Sequence, residues 1–112
     1  MEYIENRSFL VISAKRPMAE WVASTEGPEA VSVVETHRSV YLVPPLDNPS
    51  TEQVEKLAAR HFSAIFENEL FSWYTDRAMW PTTRDLETFY QWFSYEYVEE
   101  GFDLASGVIE KE

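Results

Sequence analysis

Between Pro49 and Pro81 the chain runs without a glycine or a proline, and most of that stretch reads as one long helix. Ser50 followed three residues later by Gln53 has capping-box spacing, in which a hydroxyl and an amide each satisfy a backbone N–H that the helix leaves unpaired. The helix is predicted over Thr51 to Ser72. At 100° per residue, Val54, Ala58, Phe62, Ile65, Phe66 and Trp73 share an arc about 120° wide, so this face lies against a core. Glu69 falls in the middle of the arc. A carboxylate is costly to bury without partners, which makes Glu69 the first residue to explain. One reading is a structural acceptor for an arginine, an indole N–H or a phenol O–H. The other pairs Glu69 with Glu96 or Asp85 in a cleft, where two carboxylates would serve acid–base chemistry or hold a hard cation.

Around this helix the remaining elements are shorter. Ser8-Phe9-Leu10-Val11-Ile12-Ser13-Ala14 is almost continuously apolar, the pattern of a central strand covered on both faces. Pro17 suits the first turn of a helix, and Met18, Trp21 and Val22 follow at spacings of three and four, which predicts a short helix to about Ser24 before Gly27-Pro28 ends it. Val31-Ser32-Val33-Val34 and Ser39-Val40-Tyr41-Leu42-Val43 read as two strands of a hairpin joined through Glu35–Arg38. Pro44-Pro45 and Asp47-Asn48-Pro49 then form a turn. Thr82, with Asp85 three residues on, offers a cap for a second long helix, in which Leu86, Phe89, Tyr90, Phe93 and Tyr97 form an apolar arc as far as Glu99. Glu96 and Trp92 lie on its shoulder. Phe102-Asp103-Leu104 would add an edge strand, and residues 105–112 form a loose tail. The expectation is a single α+β domain over residues 1–112. A small mixed or antiparallel sheet of three to four strands packs against two long helices and one short one.

Composition narrows the function more than it defines it. The chain has 112 residues, 20 acidic and 9 basic side chains, a formal net charge of −11 and no cysteine, with 45% hydrophobic residues. That much apolar material supports a folded core without disulfides. Nucleic-acid binding needs a basic stripe that nine scattered cations do not make, and anionic membranes are disfavoured by the same repulsion. No apolar run approaches the roughly 20 residues that span a bilayer. The first residues, Met1-Glu2-Tyr3-Ile4-Glu5-Asn6-Arg7, are acidic where a signal peptide is basic, which predicts a cytoplasmic location. Gly27, Gly101 and Gly107 are the only glycines, so no phosphate-cradling loop is expected and no nucleotide cofactor. His37 and His61 are isolated, and neither metal nor other cofactor is expected.

Trp73 to Pro81 is a connector dense in aromatic residues. Tyr74, Asp76, Arg77 and Trp80, with Arg84 and Asp85 just beyond, compose either a core plug or an interface, because large aromatics serve both. Trp80 is read chiefly as a lid on the core, with Tyr74, Asp76 and Arg77 as the exposed part of a binding face.

The segments Asn6-Arg7-Ser8, Phe66-Glu67-Asn68-Glu69-Leu70, Trp80-Pro81-Thr82-Thr83-Arg84-Asp85 and Trp92-Phe93 resemble a family of small acidic bacterial proteins of uncharacterised function. The resemblance implies a free-standing bacterial cytoplasmic protein and supplies no catalytic residue. The resulting expectation is a non-enzymatic protein that binds another protein or a small ligand through the 73–85 connector. Two alternatives stand beside it: an enzyme with a carboxylate-centred site at Glu69 and Glu96, and a homo-oligomer associating through a sheet edge or helix face.

Overall fold

A computed structural model describes all 112 residues, Met1 to Glu112. In chain order the elements are β1 (Glu2–Tyr3), β2 (Ser8–Ala14), α1 (Arg16–Glu26), α2 (Ala30–Thr36), β3 (Arg38–Val43), α3 (Thr51–Phe71), a 3₁₀ turn at Arg77–Met79, α4 (Leu86–Trp92), β4 (Phe93–Val98) and β5 (Phe102–Asp103). β2 is the central strand of an antiparallel sheet ordered β3-β2-β4, and β1 pairs with β5 in a separate two-stranded ribbon. The class is α+β, and no helix is long and apolar enough to cross a membrane.

α3 begins as its cap predicts. Ser50 Oγ accepts from the Gln53 N–H, and the Gln53 side chain accepts from the Ser50 N–H. Its buried residues are Leu57, Ala58, Ile65, Phe66, Glu69 and Leu70. They meet Leu10 and Ile12 of β2, Val43 of β3, Met18 and Val22 of α1, and Phe89 and Phe93 in one core. Phe66, Phe89 and Phe93 stand with ring centroids 5.4 to 6.0 Å apart, the separation at which tilted and edge-on aromatic pairs attract.

Two expected elements take another form. Val31–Val34 is not a strand; it belongs to α2, so the expected hairpin with Ser39–Val43 does not form, and β3 pairs with β2 across the α1–α2 connection. Ala30, Val31 and Val34 share one helical face, with Val34 fully buried against the core. Packing on that face overrides the preference of β-branched residues for strands. The second long helix is also absent. Asp85, not Thr82, is its N-cap, the helix stops at Trp92, and Phe93 to Val98 continue as β4. The same aromatics fit both periods, since Phe89, Tyr90 and Phe93 follow a helical stripe while Phe93, Tyr95 and Tyr97 alternate along a strand.

Register divides the sheet into two faces. Ser8, Leu10, Ile12 and Ala14 of β2 point inward with their neighbours Val43, Tyr41 and Ser39 of β3 and Tyr97, Tyr95 and Phe93 of β4. Phe9, Val11 and Ser13 point to the other side. There they lie beside Leu42, Val40 and Arg38 on β3 and beside Val98, Glu96 and Ser94 on β4. All four helices contribute to the core on the inner face, and none of the outer-face residues belongs to it. The ribbon reaches the sheet at one point. The Ile4 N–H donates to the Gly101 carbonyl at 2.9 Å, and a Cβ on Gly101 would stand 2.2 Å from the end of the Phe9 ring, so any larger residue there would have to push that ring aside. Beyond β5 no helix or strand forms, and Val108 is 92% exposed.

Candidate functional site

Three regions carry the side chains to which a function could attach. The first is the buried carboxylate. Glu69 is 3% exposed, and its Oε2 accepts from the Tyr41 hydroxyl at 2.5 Å. The Asn68 amide donates to the same hydroxyl at 2.9 Å. Glu69 is therefore inside and partnered, by a phenol rather than by an arginine. Burial holds the Tyr41 pKa above its ordinary value. The Asn68 donor pulls it down, and the Glu69 carboxylate, as acceptor and as charge, pushes it up. Tyr41 thus stays protonated and donating, which suits a fixed hydrogen bond and not a general base.

Glu69 and Glu96 are not brought together. Glu69 faces Tyr41 from α3, whereas Glu96 projects from the outer face of β4 beside Val11, with the sheet between them. Asp85 is occupied as a cap, accepting from the Thr88 N–H at 2.8 Å and its hydroxyl at 2.6 Å. Those bonds, the hydroxyl's first, lower the Asp85 pKa. The alternative reading, a cleft joining the carboxylates, required a helical Glu96, and β4 removes it. Instead, Tyr41, Val43, His61, Ile65 and Asn68 line a mostly apolar cavity of about 280 Å³ where β3 meets α3.

The second region is the connector, where Trp80 is buried and Tyr74 half-buried while Asp76 and Arg77 are exposed, as expected of its outer part. Trp80 is 5% exposed and its Nε1 donates to the Tyr74 carbonyl at 2.8 Å. As a contact for a partner Trp80 is therefore unavailable, because its ring is part of the core. The guanidinium groups of Arg77 and Arg84 lie 4.7 and 5.6 Å from that ring, and Arg84 Nη1 also donates to the Pro81 carbonyl. Asp76 accepts from the Ala78 N–H. The Tyr74 hydroxyl donates to the Val22 carbonyl, and Trp21 Nε1 to the Met79 carbonyl, so the connector is clamped onto α1. Arg77 pairs with Glu67 at 3.6 Å in an exposed setting, where such pairs contribute little.

The third region was not singled out from the sequence. On the outer face of the sheet Phe9, Val11, Val40, Leu42 and Val98 form a contiguous apolar surface by register, and Val40 and Leu42 are 56% and 50% exposed. Its signal was present in β2, whose apolar residues on both faces predict cover on both; the structure supplies cover on one. Similarly, Tyr41 and Asn68 escaped notice because a strand residue's partner on a helix 27 positions away has no local signature. No family model, curated protein or solved structure matches this chain.

Proposed function

We propose that the protein works by binding a polypeptide, without catalysis, and that the bare face of the β3-β2-β4 sheet is its binding surface. The observation that carries this is the mismatch on β2: a strand with apolar residues on both sides, helices on one side, and solvent on the other. An apolar patch spread over three strands marks an interaction site on a folded protein. The connector is the weaker candidate, because its polar side chains are already paired within the chain. The carboxylate-centred enzyme has less support still, since Glu69 is held by Tyr41 and Glu96 lies across the sheet.

The resemblance to small acidic bacterial proteins supports a bacterial cytoplasmic setting, and a net charge of −11 argues against nucleic acid as the ligand. A photo-reactive amino acid placed at position 40 should form polypeptide adducts in cells, and one at position 76 should not. Adducts from position 76 alone would move the surface to the connector. Adducts from neither would reject the binding reading.

A further inference from the structure

We infer that the ligand is an extended peptide segment that adds to the free edge of β3 as a fourth strand and seats one aliphatic side chain in the cavity between β3 and α3. The inference rests on the reading of the sheet as a polypeptide-binding surface and names the conformation and chemistry of what binds.

β3 is an edge strand, paired with β2 on one side only. No backbone N–H or carbonyl of Arg38–Val43 bonds to any other part of the chain, so its free side presents a row of donors and acceptors. Another strand is the ligand that matches such a row. The opposite edge is guarded. β4 carries Glu96 in its middle and is followed by Glu99 and Glu100, charges of the kind that keep natural edges from pairing. Between Arg38 and Pro44, β3 has no charge at all.

The cavity of about 280 Å³ lies on the helix side of that same strand, between Tyr41 and Val43 and the α3 residues His61, Ala64, Ile65 and Asn68. Side chains of an added strand alternate as those of β3 do. Those level with Val40 and Leu42 continue the apolar outer face, and those level with Tyr41 and Val43 turn towards α3, where the cavity takes an aliphatic group. Arg38, on the outer face at the start of β3, has no carboxylate within 4.0 Å. An acidic residue level with it completes a cross-strand ion pair.

A second copy of the chain fits this edge poorly. Its β3 would bring Ser39, Tyr41 and Val43 to the helix side, yet the Tyr41 hydroxyl is held by Glu69 and Asn68 and Val43 is 4% exposed in the core. Neither can leave its own fold to enter the cavity. A segment whose side chains are uncommitted can.

A phage-displayed random peptide library panned over the full chain should enrich sequences with alternating aliphatic residues next to an acidic one. In an enriched peptide, N-methylation at alternate residues should raise the dissociation constant at least about tenfold, and N-methylation between them should not. Ala64→Leu fills the cavity from an exposed helical position and should weaken binding by a similar factor at an unchanged melting temperature. Panning over Arg38→Glu should select a basic residue in place of the acidic one. A library that enriches nothing would overturn the peptide, while adducts from position 40 would keep the binding surface. Binding lost in Val40→Asp with Leu42→Asp but insensitive to N-methylation would overturn strand addition and leave the face as the site. Binding insensitive to both would overturn both readings. Indifference to Ala64→Leu would remove the cavity from the site, and an unchanged selection with Arg38→Glu would remove the ion pair. Protection of the β3 amides from hydrogen exchange as the free chain is concentrated would replace the peptide with a second copy.

Discussion

Glu69 and Tyr41 are one unit, and substitutions at each should show it. Glu69→Ala leaves a buried phenol without an acceptor and should cost about 1–3 kcal/mol, with Glu69→Gln costing less because an amide oxygen still accepts. Tyr41→Phe leaves a buried carboxylate with no hydroxyl and should cost at least as much as Glu69→Ala. The pH dependence has a definite sign. Burial raises the folded-state pKa of Tyr41, so its contribution is fully present below the unfolded value, about 10, and is lost as pH rises beyond it. Urea melts between pH 8 and pH 11 should therefore lose stability more steeply for the wild type than for Tyr41→Phe. Trp80 gives a second test at this scale. Since the ring is buried and its N–H is bonded, Trp80→Ala should destabilise by about 3–5 kcal/mol, and any loss of binding should track unfolding. That Glu69 lies inside was legible from six apolar neighbours at helical spacing. Its partner was not, because the register of β3 against α3 is decided by the whole core.

Among the elements, α2 makes the sharpest test of how local preference yields to packing. Val33 is 59% exposed on that helix, so Val33→Ala should stabilise by about 0.5 kcal/mol through helix propensity. The same change in an exposed strand would destabilise, and thermal melts of the two proteins separate the cases. α3 was legible because its cap, its lack of glycine and proline, and its apolar stripe all agree. The segment from Leu86 to Val98 was not, because its aromatics satisfy two periods at once and the strand that decides between them, β2, lies about eighty residues away, as in the pairing of Ala14 with Phe93. The connector shows the complementary case. Its composition identified a place dense in aromatic and charged groups, but only the fold could show that Val22, Tyr74, Met79 and Pro81 spend their carbonyls on it.

Taken whole, the molecule is a sheet with all its helices on one side, and both its class and its one-sided cover were readable from the order of elements, while the apolar character of the other face was signalled only in β2. Residues 105–112 carry no helix or strand, so removing them should move the melting temperature by less than about 2 °C. Ending the chain at Trp92 should abolish the cooperative transition, since β4 supplies Phe93 to the core and one whole edge of β2. The placement of β2 has a bearing on synthesis. This central strand is made well before β4, and the pairing of Phe9 with Val98 must wait until the whole intervening segment has been translated. The nascent chain therefore carries an apolar strand with an open edge until β4 emerges, and closure over so long a loop should place refolding in the millisecond-to-second range.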